Sequence, residues 1–149
     1  MLSGIAYRLL RLSWALWLGG LIALFIFVNV LFRRERSVAV QAAPMMFHAF
    51  EKYQLILGAV ALVGAAALFM VTRSVRLGLV FSLLAVASIG AVVSPVFITA
   101  KMEALRAEGM AGGSEFKKLQ GRSMIIYVGD AAALALAGVL MPAPQFRRK

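Results

Sequence analysis

The chain has 149 residues, 62% of them hydrophobic, a net charge of +10 and no cysteine; its mean hydropathy is +0.90. That composition excludes an ordinary soluble domain and points to one integral membrane domain. The missing thiols exclude disulfides, thiolate metal centres, iron–sulfur clusters and a cysteine nucleophile within the chain. The single histidine, His48, excludes a two-histidine metal or haem site built from one copy.

Four apolar runs follow one another, predicting spans at about 12–32, 53–72, 77–100 and 123–141. Crossing a bilayer core takes about 20 helical residues, and only closed backbone hydrogen bonding survives there, so each run should be a helix. The predicted fold is all-α: an integral membrane four-helix bundle with antiparallel spans, occupying residues 1–149 as a single domain.

Helix one is expected from Ile5 to Phe32, with Trp14 and Trp17 near its start, where amphipathic rings favour the membrane interface. Arg8 and Arg11 before an apolar run resemble a secretory signal. The run is longer than such signals carry, however, and Arg33-Arg34-Glu35-Arg36 follows it, so a retained span is expected. A connection from Arg33 to Ala43 leads to Pro44, which suits the first turn of a helix, and helix two runs to Thr72. Arg73-Ser74-Val75-Arg76 is the shortest connection, making spans two and three antiparallel neighbours. Helix three should kink at Pro95, which lacks an N–H and frees the carbonyl of Ala91. It then extends beyond the membrane through Lys101–Glu108, a strong helix-forming sequence. Gly109, Gly112 and Gly113 break it. Ser114 is a candidate N-cap with Glu115 behind it. Helix four runs to about Met141, and Pro142 and Pro144 stop it.

The positive charges flank the spans rather than forming one patch. They therefore fit anionic lipid headgroups and the bilayer as partners, not nucleic acid. One side carries Arg8, Arg11, Arg73, Arg76, Arg147, Arg148 and Lys149 with no acid. The other carries Arg33, Arg34, Arg36, Lys52, Lys101, Arg106, Lys117, Lys118 and Arg122 with five glutamates. Charge density close to the spans favours both termini on the cytoplasmic side of a cell or inner membrane.

Asp130, the only aspartate, lies within the fourth span. An ionisable group at that depth costs about 2.5–3.5 kcal/mol on insertion scales and is a marker of function. Four alternating spans would place Asn29, Gln54, Ser94, Thr99, Tyr127 and Asp130 in the same half of the membrane. Ser94 and Asp130 would then lie roughly 10–12 Å inside their flanking charges, at the helical rise per residue. The expected site is a polar vestibule opening toward the long loops, with Asp130 at its floor. The other half holds Ser13, Trp14, Thr72 and Ser82 near the interface. Small residues at Gly129, Ala133 and Ala137, and at Ala61 and Ala65, allow close backbone approach.

Each polar feature has a structural and a functional reading. Asp130 is either interhelical hydrogen-bonding glue or a proton- or cation-coupling site. Gly129-Asp130 matches half of an intramembrane aspartyl protease, but the chain has no second aspartate for the shared-proton dyad, and Tyr127 stands where a glycine is expected. His48 is an interfacial histidine paired with Glu51 one turn on, or a pH-sensitive group. Glu103, Glu108 and Glu115 sit among basic residues as solvated partners. Met45, Met46, Met102 and Met110 read as membrane filler against the alternative of a soft-metal site. No metal or cofactor is expected.

Trp17-Leu18-Gly19-Gly20, the run ending Val30-Leu31-Phe32, Ala42-Ala43-Pro44-Met45-Met46-Phe47, Phe50-Glu51-Lys52-Tyr53-Gln54, Pro95 and Phe116-Lys117-Lys118-Leu119-Gln120-Gly121-Arg122-Ser123 occur in that order. Over nearly the whole chain they resemble a small four-span membrane family, domain of unknown function 4149, related to transmembrane protein 205. The resemblance implies a multi-pass membrane protein and supplies no reaction. Gln120 and Tyr127 depart from it, standing where the family often has a histidine and an asparagine.

Three functions compete. The first is a transport-related or accessory protein, without an enzymatic site, in which Asp130, Tyr127, Ser94 and Asn29 bind a proton or cationic solute. The second is an assembly module with Asp130 as glue, packing as a homo-oligomer or against a partner membrane protein. The third is a four-span glutathione-dependent enzyme, with Arg33, Arg34 and Arg36 holding an acidic cofactor. The dense Arg, Asn and Glu pattern of that class is absent from Phe50 to Gln54.

Overall fold

Long runs of Leu, Ala, Ile and Val without charge close into helices, and the few residues that cannot continue a helix set the joints. The computed structural model describes residues 2–141. Pro142 and Pro144, expected to stop the last helix, and Arg147, Arg148 and Lys149 lie outside the described residues. Those described form helices α1 (Leu2–Arg34), α2 (Arg36–Thr72), α3 (Val75–Ala107) and α4 (Ser114–Leu140), with no strand among them. All four are long and apolar enough to cross a membrane.

The joints differ. Glu35 alone, at φ −141° and ψ 79°, separates α1 from α2. Arg33 and Arg34 in the last turn of α1 complement the negative end of the helix dipole. Arg73 ends α2 in the left-handed region, at φ 49° and ψ 27°, with its N–H on the Phe69 carbonyl at 2.8 Å. This is the left-handed C-cap that glycine usually fills; a side chain there costs about 1–2 kcal/mol. Gly109 takes the same region, at φ 74°, after α3, and the loop 108–113 leads into α4.

Inside α3, one π turn spans Ser94–Thr99, with the Ala100 N–H reaching back to the Pro95 carbonyl. Pro95, expected to kink the helix, thus sits at the start of a widened turn. Such turns recur at functional sites.

Every helix buries one stripe at three- and four-residue spacing. The stripes are Leu10, Ser13, Trp17, Leu21 and Leu24 of α1; Gln54, Ala61, Ala65 and Leu68 of α2; Leu77, Val80, Leu84, Ala87, Ala91, Ser94 and Ile98 of α3; and Tyr127, Asp130, Leu134, Ala137 and Met141 of α4. This is the helical period expressed as burial. The outward faces are apolar as well, with Ile22, Phe27, Ile56, Val63, Ile89, Phe97, Ile125 and Val139 exposed.

Glycines let the helices close at particular points. Gly64 faces the Ala6 carbonyl and Leu10, Gly58 lies under Trp17 and Ser88, and Gly20 packs on Tyr53 and Phe50. A Cβ on Gly138 would overlap the Trp14 ring, whose Nε1 donates to the Leu134 carbonyl at 2.7 Å. Arg76 donates through Nε to the Leu140 carbonyl at 2.6 Å, satisfying an end of α4 that its own backbone leaves open.

Four local expectations are corrected. Residues 36–43 are helical, so Pro44 lies inside α2 rather than in its first turn. Burial of Ala39 and Ala43 holds this segment in place despite the missing N–H. Trp17 turns inward rather than outward, while Trp14 is half-buried. Because α1 begins at Leu2, Trp17 sits about 22 Å along it, fully buried in the core. Gly113, not Ser114, takes the N-cap position of α4, and no side-chain cap bond forms. Gly129 is exposed with nothing against it; the close stripe of α4 follows the phase of Asp130, Ala133 and Ala137 instead.

Candidate functional site

The buried stripes of α2, α3 and α4 turn polar over the same stretch of the bundle. From α2 come Glu51, 2% exposed, and Gln54, fully buried; from α3 comes Ser94, fully buried; from α4 come Tyr127 and Asp130, each 3% exposed. No lysine or arginine is buried among the described residues, so neither carboxyl group has a cationic partner in the interior.

Glu51 is the centre. Thr99 Oγ1 donates to Glu51 Oε1 at 2.5 Å, and the Tyr127 hydroxyl reaches the same oxygen at 3.5 Å. The other oxygen, Oε2, has no hydrogen-bond partner; its nearest polar neighbour is His48 Nδ1 at 3.7 Å, on a side chain 53% exposed. Three helices therefore converge on one carboxyl group, and the π turn delivers Thr99 from α3, with the buried Ser94 at its other end.

Tyr127 is held by aromatic rings, edge-on to Phe25 at a centroid distance of 6.2 Å and tilted on Phe47 at 5.5 Å. Such pairs contribute about 0.5–1.5 kcal/mol beyond burial and fix the ring. Its phenol has Glu51, Ser94 and Asp130 as near polar neighbours. Asp130, one turn further along α4, presses its carboxyl group against α3 at Gly90, where any Cβ would overlap it. Gly90 is also one turn from Ser94.

Polar atoms in this region are under-satisfied. Glu51 Oε2, both amide atoms of Gln54, Ser94 Oγ and Asp130 Oδ2 are buried without a hydrogen-bond partner. Each such atom costs about 1–3 kcal/mol relative to a satisfied one, and a cluster of them is a feature that packing alone would remove. Gln54 faces a separate, mostly apolar crevice between α2 and α3 with Gly58, Ser88 and Ala91.

Of the residues expected in a vestibule, Thr99 and Tyr127 gather around Glu51, Ser94 is buried in the same π turn as Thr99, and Asp130 lies one turn beyond Tyr127. Gln54 is fully buried without a hydrogen bond to any of them and lines a separate crevice. Asn29 is exposed on α1, and no side-chain hydrogen bond joins it to the others. His48 stands on an open groove of about 540 Å³ lined by Pro44, Met45, Ala49, Lys52 and Glu103. Glu51 was read only as the partner of His48, because Lys52 beside it suggests a solvated segment. The period from Phe50 through Gln54 to Ala61 and Ala65 would have placed it near the buried face.

The fold and this interior define an all-helical chain with four helices apolar enough to span a membrane and a polar core at one end. No family model, curated protein or solved structure matches the chain.

Proposed function

We propose that the chain is a multi-pass integral membrane protein, transport-related or accessory and without an enzymatic site, whose polar interior takes up a proton or small cation. One observation carries this reading. Two carboxyl groups, Glu51 and Asp130, are buried between apolar helices with no buried basic residue to neutralise them. In a bilayer interior such groups line ion and proton pathways. The apolar outward faces support insertion, because a soluble monomer rarely exposes apolar patches beyond a few hundred Å². Pairing of Gly64 with Leu10 and of Gly20 with Phe50 supports an antiparallel arrangement of the spans. On this reading both termini are cytoplasmic in a cell or inner membrane, and the chain is a relative of the domain of unknown function 4149 family.

The test is reconstitution in liposomes containing a pH-sensitive dye, with proton and monovalent-cation gradients applied in turn. Wild-type flux that disappears in Asp130→Asn supports the reading; equal flux in both sinks it. A second reading, assembly module, draws on the fit of Asp130 against Gly90, which suits interhelical glue. It predicts that Asp130→Leu loses complexes or abundance while Asp130→Asn keeps them.

A further inference from the structure

Resting on that reading, we propose that the coupled species is the proton, and that it reaches Asp130 from the long-loop side along a relay of His48, Glu51, Tyr127 and Ser94. The order follows from position. His48 lines the open groove, and its Nδ1 lies 3.7 Å from the unpartnered Glu51 Oε2. Glu51 Oε1 faces the Tyr127 hydroxyl, and the buried, unpartnered Ser94 Oγ sits in the π turn that also carries Thr99. Ser94 lies one turn from Gly90, where the Asp130 carboxyl is seated. At 1.5 Å per residue the α3 side of this track, from Thr99 to Gly90, is roughly 14 Å long.

The chemistry of the members selects the proton. Imidazole, carboxyl and hydroxyl groups can each receive a proton on one atom or lone pair and release one from another. A metal ion instead needs oxygens converging on one point, about six of them for the smaller hard cations. Here the oxygens are strung along the bundle, and no group of three His, Asp or Glu side chains converges among the described residues. Each hop conserves charge and atoms. The imidazolium of His48 gives its Nδ1 proton to the Glu51 carboxylate and becomes neutral. The Glu51 acid rotates to bring that proton to the oxygen facing Tyr127 and passes it to the phenol oxygen, as the phenol releases its own through a bridging water toward Ser94. The Ser94 hydroxyl repeats the exchange, and one water bridging the last turn delivers a proton to the Asp130 carboxylate.

Few other groups face the track. The remaining titratable or charged ones near its mouth are Lys52 and Glu103, both on the groove. From α3 the track meets only the hydroxyls of Ser94 and Thr99, and from α1 it meets the apolar Phe25. Tyr53 reaches the Leu16 carbonyl of α1. Among the described residues, the phenol of Tyr127 neighbours both carboxyl groups.

The experiment is infrared difference spectroscopy on the full chain in lipid vesicles. The Asp130 carboxyl band is identified by subtraction of Asp130→Asn, and its hydrogen–deuterium exchange is timed after a solvent jump. Wild type, Glu51→Gln, Tyr127→Phe and His48→Gln are compared, with circular dichroism confirming equal helicity. Tyr127→Phe keeps the ring between Phe25 and Phe47, so it reports the lost hydroxyl rather than lost packing. The expected result is exchange slowed about 100-fold in Tyr127→Phe and Glu51→Gln, the scale of a positioned proton-transfer group, with a smaller delay in His48→Gln. Unchanged exchange in Tyr127→Phe and Glu51→Gln overturns the relay while leaving Asp130 as a coupling site. An Asp130 that never exchanges in wild type overturns the proposed function itself.

Discussion

The two ends of the bundle are built from the same four helices and the same buried period, yet they are packed by opposite rules. At one end Leu10, Trp17, Ala65, Leu134 and Ala137 are fully buried, Gly64 and Gly138 admit their neighbours, and the Trp14 N–H finds a carbonyl. Its hydroxyls are self-satisfied, with Ser13 bonded to the Leu9 carbonyl, Thr72 to that of Leu68 and Ser82 to that of Gly78. At the other end Glu51, Gln54, Ser94 and Asp130 keep unpartnered atoms, against Trp17 Nε1 alone at the first. In lipid, where apolar side chains gain little by leaving the solvent, close van der Waals fit and interhelical hydrogen bonds hold helices together. The dry end supplies both, which leaves the polar end free to hold an arrangement that weakens the fold.

The contrast can be broken by substitution. Trp17→Ala should have the largest effect, about 3–5 kcal/mol, the usual result of emptying a buried aromatic site, read by denaturant unfolding in detergent micelles. A loss below about 1 kcal/mol would mean the dry end is not where the fold is held. Gly138→Ala should follow at about 1–3 kcal/mol, because the new methyl meets the fixed Trp14 ring; Trp14 fluorescence should shift with it. Gly90→Ala makes a sharper pair with it. Its methyl meets only the end of the short Asp130 side chain, so stability should fall by less than Gly138→Ala, while the Asp130 infrared band moves. Equal losses would erase the distinction between the ends. The smallest effect is expected from Gln54→Leu, which removes two buried unpartnered polar atoms and should be neutral or stabilising by about 1 kcal/mol.

Arrangement across the membrane has its own measurement. The chain has no cysteine, so Ser74→Cys and Ser114→Cys each introduce a single thiol, in the joint before α3 and at the start of α4. A membrane-impermeant thiol reagent should label them from opposite faces of a sealed vesicle. Labelling from the same face would remove the antiparallel arrangement and with it the shared half-membrane of the polar residues.

Much of this was readable from the chain. The four uncharged runs locate the helices because charge is so unfavourable between them, and Arg73 and Gly109 mark ends that glycine or a left-handed residue must make. Asp130 was conspicuous as an acid among apolar residues. What composition hides is azimuth. Trp17 and Gly129 were assigned by type, a ring to an interface and a glycine to a contact, whereas the phase of the helix buried the ring and turned the glycine outward. Glu51 was obscured for the same reason, since Phe50, Glu51 and Lys52 read as an interfacial mixture until the turn points one of them inward. Pro44 was misplaced because a proline is tolerated inside a helix whose neighbours, here Ala39 and Ala43, are already packed.

The joints between helices are unequal in a way that bears on motion. One residue, Glu35, connects α1 to α2, and only Arg73 and Ser74 connect α2 to α3. Tethers that short leave no slack for one helix to slide along the next. The segment 108–113, with three glycines, is the longest tether in the described chain and the only one with slack to take up. The helix it releases is α4, which carries Tyr127 and Asp130. In mechanical language the first three helices are tied in close series, and the acid at the end of the polar track sits on the helix with the longest leash.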